Sequence, residues 1–198
     1  MKPDFSKAQN EATKLLLKQE FDSLYIDVRN FKFDKNIYID SIQHYSKIVG
    51  ENVSNFTCSE LSGCLVLKIY NFNIILYDDF ETNKERKHWG IVHEIGHIYL
   101  EHTSDGAIEE IEANFFAAQI VMPEPILRYI VSYKGSFNVT EIYENFNVSY
   151  EAAFKRINTL NKNVSFYSKS IDYDILIKKF EPIIKNKFAR NNSFICAI

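Results

Sequence analysis

His93-Glu94-Ile95-Gly96-His97 is the stretch on which the reading of this chain turns. Residues four apart lie on one face of an α-helix, so His93 and His97 can aim both imidazoles at one point. Two imidazoles meeting at a point begin a transition-metal site. Glu94 lies off that pair but stays close enough to hold a water there as a general base. Five residues thus supply two ligands and a base, which is the pattern of metal-assisted peptide hydrolysis. The pattern is short enough to arise by chance on a helix with two surface histidines, so the flanking sequence has to decide.

A catalytic zinc takes three protein ligands and keeps one position open. The third ligand must come from another element folded back on the first. Ala107–Val121 reads as an alanine-rich helix stopped by Met122-Pro123 and Pro125, and it offers Glu109, Glu110 and Glu112. Helical phase favours Glu110, whose face continues through Ala113, Asn114 and Ala117. Small side chains on that face let two helices approach closely. Glu112 shares its face with Phe115, Phe116 and Gln119, and Glu109 leads to Glu112, Ala113 and Phe116; both read as solvated charges. Asn114 stands one turn beyond Glu110, placed either to accept the second ring N–H of His93 or to serve as a polar residue at a helix contact. Two neutral imidazoles and one carboxylate leave Zn2+ with residual positive charge, and Glu94 would carry a proton from water to the leaving amine. Tyr77 is the candidate for transition-state stabilisation, beside a structural reading. His44 and His88 have no partner at useful spacing, and His102, five residues beyond His97, falls off the ligand face.

The surrounding pattern predicts mixed helices and strands. Residues 3–20 are periodic in Phe5, Ala8, Ala12, Leu15 and Leu16. Residues 24–33 alternate as a strand or extended segment, 38–49 suit a helix ended by Gly50, and 52–57 are β-prone. Cys64–Tyr70 and Ile74–Asp78 read as a hairpin turning at Asn71-Phe72-Asn73. If the second of these strands forms a cleft edge, a substrate could add to it as a further strand. Lys84–Leu100 is one helix, Thr103-Ser104-Asp105-Gly106 a loop, and helical patterns follow at 125–133, 139–146, 149–160 and 171–187.

Bulk composition narrows the function. A chain of 198 residues can bury one core plus a small appendage. A net charge of -3 argues against a general nucleic-acid binder, which needs a basic surface to release counterions. No apolar run is long enough for a membrane span, and the opening MKPDFSKAQNEATK has no signal-peptide core, so the expectation is a cytoplasmic protein with no membrane partner. Cys58, Cys64 and Cys196 lack metal-site spacing and suit thiols in a reducing compartment.

The flanks of the histidine pair carry a specific resemblance. Glu85-Arg86-Lys87-His88-Trp89-Gly90-Ile91-Val92 leads into the pair, Glu110-Ile111-Glu112-Ala113-Asn114-Phe115-Phe116-Ala117-Ala118 follows, and Val121-Met122-Pro123 closes the block. Together with Ser62-Gly63 before a hairpin, these residues resemble the ImmA/IrrE family of metallopeptidases over roughly 36–160. The resemblance implies an α+β, zincin-like fold of helices plus a small antiparallel-type sheet. It also implies His93, His97 and Glu110 as zinc ligands, Glu94 as base, and cleavage of a helix-turn-helix repressor of a phage or mobile element. Many members carry a histidine four residues after the second metal histidine; this chain has Glu101 there and His102 one residue later.

Val139–Leu160 has helix-turn-helix spacing around Asn147-Val148-Ser149, with Ser149 placed to cap the second helix. Its charges are balanced, Glu141, Glu144 and Glu151 against Lys155, Arg156 and Lys162, which favours a subdomain that packs on the peptidase over one that contacts DNA. The expected organisation is a metallopeptidase domain over 1–135, a helix-turn-helix-like segment over 136–162 and an extension over 163–198. The alternative function is a non-proteolytic or weakly proteolytic transcriptional or stress regulator that uses the peptidase-like fold for binding or sensing.

Overall fold

The helix that carries the histidine pair is fixed at both ends. In the computed structural model, which describes residues 2–59, 62–104, 106–162 and 171–189, it runs Lys84–Leu100. Asn83 caps it, its side chain accepting the Arg86 backbone N–H at 2.7 Å. Glu101 ends it in the left-handed conformation at φ 62. The His102 N–H then donates back to the His97 carbonyl at 3.0 Å, and the Glu101 N–H to Ile98 at 3.4 Å. This is a Schellman closure made without glycine. Lys7 and Lys35 donate to the Leu100 and Ile98 carbonyls at 2.6 and 2.8 Å, placing cations at the negative end of the helix.

The described residues form an α+β chain of eight helices and one three-stranded sheet. In order these are α1 Phe5–Leu17, β1 Ile37–Ser41, α2 Ile42–Val49, β2 Cys64–Ile69, β3 Phe72–Tyr77, α3 Lys84–Leu100, α4 Ala107–Val121, α5 Glu124–Lys134, α6 Val139–Phe146, α7 Tyr150–Lys162 and α8 Ile171–Phe188. Cys196 and the flanks of α8, over 163–170 and 190–198, lie outside the described residues, as do 60, 61 and Asp105 of the expected loop.

The sheet is mixed rather than antiparallel. β3 lies in the middle, antiparallel to β2 and parallel to β1, with Ile39 opposite Ile75 and Val66 opposite Ile75 on the other side. The expected helix over 38–49 therefore loses its first residues to β1, because one side of β3 needs a pairing partner that helical phase alone does not reveal. α2 begins after Ser41, whose hydroxyl accepts the His44 N–H at 3.1 Å, and ends at Gly50 with φ 72. The turn between β2 and β3 lies at Tyr70-Asn71, one residue earlier than expected, and Phe72 already pairs with Ile69. Residues 24–33 form no strand. A 3-10 turn occupies Val28–Asn30, capped by Asp27, whose carboxylate also receives the Arg29 guanidinium at 2.6 Å. The β-prone stretch at 52–57 is likewise a 3-10 turn, Val53–Asn55, capped by Asn52.

The chain separates into two compact units, Met1–Ala12 with Asp27–Ala117, and Thr13–Ile26 with Ala118–Ile198. In the first, α3 packs on β2 and β3, with Ile91, Val92 and Ile95 buried alongside Ile75 and Leu76. Two glycines of α3 permit the close contacts. A Cβ on Gly96 would lie 3.2 Å from the Ala113 carbonyl oxygen and 3.2 Å from Phe116 Cδ1, so α4 approaches α3 at that point. A Cβ on Gly90 would lie 2.0 Å from the Ser62 carbonyl oxygen, against the segment that enters β2.

In the second unit, Leu127, Ile130, Phe146, Leu176 and Phe180 are buried. α6 and α7 fall where the helical pattern put them, joined through Asn147 at φ 51, and the Ser149 hydroxyl accepts the Ala152 N–H at 3.1 Å. Arg156 of α7 is only 3% exposed. Its guanidinium donates to the Met122 carbonyl at 3.0 and 2.8 Å and to the Gln119 side chain at 2.8 Å, which holds the bend where proline ends α4. Burial pulls the Arg156 pKa down to about 10, still charged at neutral pH.

Gly90→Ala tests the contact on β2. Helix propensity alone favours alanine by about 1 kcal/mol. Overlap with backbone at Ser62 has no flexible side chain to give way, so a net loss of about 1–3 kcal/mol is expected, read as a lower urea midpoint.

Candidate metal centre

α3 holds His93 and His97 one turn apart, and the approach of α4 at Gly96 brings in Glu110 from the first turn of α4. A carboxylate is favoured there by the helix dipole. His93 Nε2 and His97 Nε2 lie 3.0 Å apart. Glu110 Oε2 is 3.3 Å from His93 Nε2, and Glu110 Oε1 is 3.4 Å from His97 Nε2. The three side chains are 5%, 11% and 22% exposed in the order His93, His97, Glu110, so the cluster is largely withdrawn from solvent. Each residue offers one ligand atom, and these atoms lie within 4.8 Å of one another.

The spacing fits a cation. Tetrahedral ligand atoms roughly 2.0–2.1 Å from zinc stand roughly 3.3–3.4 Å from each other. The two nitrogen–oxygen separations, 3.3 and 3.4 Å, meet that value, and the nitrogen–nitrogen separation of 3.0 Å is slightly short of it. The donor set agrees: two imidazole lone pairs and a carboxylate converge, which suits zinc and related divalent ions. Glu110, the glutamate that helical phase favours, is the one that lies beside both histidines.

These donors open on a cleft of about 650 Å³, lined also by Glu94, Cys58, Cys64, Leu65, Val66 and Lys68. Glu94 is half-buried on the cleft wall beside both histidines. Burial pushes the thiols of Cys58 and Cys64 up, with Glu94 adding to both shifts, so they stay protonated thiols. The strand beside the donors is β2, because β3 is central in the sheet and cannot be a cleft edge.

Other expected positions differ. Asn114 Oδ1 accepts the Trp89 indole N–H at 3.3 Å, and its amide donates to the Glu110 carbonyl at 2.8 Å. The expected bond from His93 is not among its contacts, and Asn114 ties α4 to α3 instead. Tyr77 does not line the cleft; its ring packs under Lys87 with the ammonium 5.4 Å from the centroid. His44 does have a partner, Asp40, with its Nδ1 2.7 Å from the carboxylate.

Two residues set aside in the sequence join the site. His102 Nδ1 lies 3.0 Å from His97 Nδ1, and His102 Nε2 lies 2.9 Å from Glu112 Oε2. Counting helical phase through His102 goes wrong because α3 stops at Leu100 and left-handed Glu101 turns the chain back. The polar run after Leu100 is the signal that the helix has ended. Glu112 is 13% exposed rather than solvated, with one carboxylate oxygen on the Asp4 N–H and the other on His102, while Phe115 on its face packs on Phe5 with ring centroids 4.8 Å apart. Phenylalanines flanking a glutamate on one helix face were the available clue to its burial.

The profile of the peptidase M78 family, described as the IrrE N-terminal-like domain, matches residues 60–158, half of the chain. No curated protein and no solved structure matches the chain.

The metal-stripped chain should bind one Zn2+ in competition with a chromophoric chelator. Glu110→Gln should weaken that binding by more than the roughly 10–100-fold typical of losing a supporting residue. Equal affinity in the variant would remove Glu110 from the ligand set.

Proposed function

The chain belongs to the peptidase M78 family, and from that premise we propose that it is a zinc-dependent endopeptidase that cuts a regulatory protein. The observation that carries this reading is the convergence of His93, His97 and Glu110 beside Glu94 on one cleft. In this reading the peptidase core adopts a zincin-like arrangement within residues 1–135, and α6 with α7 forms the helix-turn-helix-like segment of 136–162. The protein works in the cytoplasm; none of the described helices is long and apolar enough to cross a membrane.

His93, His97 and Glu110 would hold the ion. Bound zinc would supply Lewis acidity toward water and the scissile carbonyl. Glu94 takes the proton from the attacking water and passes it to the leaving amine nitrogen. Among the described residues β2 pairs only with β3, so its other side can take an extended peptide as an added strand, and Cys64, Leu65, Val66 and Lys68 line the cleft there. Strand addition orients the scissile bond without demanding a particular side chain.

The substrate we favour is a helix-turn-helix repressor of a phage or mobile element, following the resemblance to ImmA/IrrE proteins. The alternative, a regulator that contacts DNA through α6 and α7, draws less support. Arg156 is buried, and exposed Lys155 pairs with Glu151 at 2.6 Å, so a segment already balanced in charge has still less of the basic surface that DNA contact needs.

Co-expression with a repressor encoded beside the gene supplies the test. The parent chain should cleave it, and Glu94→Gln should lower the cleavage rate at least 100-fold, the lower end for loss of a general base, while zinc content stays at one per chain. Cleavage by Glu94→Gln at the parent rate would sink the mechanism. A zinc-loaded parent that leaves the repressor intact would sink the substrate assignment.

A further inference from the structure

We propose that His102 and Glu112 are positioning residues that fix the tautomer and ring orientation of His97. The inference rests on the reading of His93, His97 and Glu110 as metal donors and extends it to a chain of hydrogen bonds on the far side of one ligand.

The chain runs in one direction. Glu112 ends in a carboxylate, which accepts. One oxygen takes the Asp4 backbone N–H at 2.6 Å, and the other faces His102 Nε2 at 2.9 Å. His102 Nε2 therefore carries the proton, since a lone pair there would confront the carboxylate. A neutral His102 then has its lone pair on Nδ1, which faces His97 Nδ1 at 3.0 Å. That contact needs one proton, and His97 Nδ1 must supply it. The His97 lone pair is left on Nε2, the atom 3.4 Å from Glu110 and 3.0 Å from His93 Nε2. Glu112 thus selects, through His102, the tautomer of His97 that ligates through Nε2.

Without that selection His97 could place its proton on Nε2 and its lone pair away from the other donors. The packing suits a fixed role. The side chains of His102 and Glu112 are 7% and 13% exposed. The His97 and His102 rings meet nearly edge-on, with centroids 4.9 Å apart and planes at 78°. The Schellman closure after Leu100 seats His102 by its own backbone bond to His97, so its ring needs little ordering.

Hydrogen-bonded supports of metal histidines typically contribute 10–100-fold in affinity. The experiment uses the full chain, metal-stripped and reloaded, as parent, His102→Leu, His102→Gln and Glu112→Gln. Zinc affinity is read by chelator competition. The His97 ring tautomer is read by nitrogen-15 correlation spectra in each metal-free protein on a Glu110→Ala background, which removes the carboxylate facing His97 Nε2, and folding by circular dichroism. The parent should show His97 protonated on Nδ1. His102→Leu should lose roughly 10–100-fold in zinc affinity and give a mixture of tautomers with an unchanged helical spectrum. His102→Gln, whose amide can accept from His97 and donate to Glu112, should recover most of both. Glu112→Gln, which keeps shape and removes the obligate acceptor, should reproduce part of the loss and covers the case where His102→Leu fails to fold. Parent-like affinity and tautomer in either His102→Leu or Glu112→Gln would overturn the proposal and leave the metal site standing. A parent that binds no zinc would overturn the metal-site reading and this proposal with it.

Discussion

The approach of α3 to α4 at Gly96 governs the site. A Cβ at position 96 would meet the Ala113 carbonyl oxygen and Phe116 Cδ1 at 3.2 Å, so α4 would have to move by a few tenths of an ångström. That displacement costs a packed core about 1–3 kcal/mol, which a folded domain can absorb. It is large for metal coordination, in which distances tolerate only about 0.2 Å. The same shift that stability would absorb moves Glu110 out of register with the histidines. The small residues at this crossing, Gly96 and Ala113, are therefore tied more closely to the donor set than to the core.

Electrostatics points the same way. Glu110 joins two histidines in a region where Glu94 lines the same cleft and Glu112 lies behind His102. Lone pairs and carboxylates meeting within 3.4 Å repel unless a proton or a cation sits between them. The helix that carries the histidines is well satisfied at both ends, by Asn83 at the start and by Lys7, Lys35 and the Schellman bonds at the finish. A dication would relieve the repulsion and add its binding free energy to folding.

Much of this was legible in the residues. α3 and α4 fall at their expected bounds because strong caps and a following Met-Pro mark their ends. Glu110 follows from helical phase because both partners lie on regular helices. The misreadings arise where regular phase stops or where pairing is non-local. Helical phase over 38–49 hides most of β1, because its partner β3 lies far along the chain and Ile39 carries no record of it. His102 falls off the ligand face only if the helix is extended past its end at Leu100. Glu112 reads as solvated because one of its partners is the Asp4 N–H, near the other end of the sequence.

The bond from Asp4 to Glu112 spans 108 positions, whereas His93, Glu94, His97 and Glu110 lie on the consecutive helices α3 and α4. Chain entropy separates the two. The donor set closes a short loop and can gather as soon as α3 and α4 exist. The contact at Asp4 waits for a long loop to close, at a cost that grows with the logarithm of its length. In a nascent or refolding chain the donors can therefore assemble before Glu112 receives its backbone partner, and the order of closure runs from the cleft outward to the start of α1.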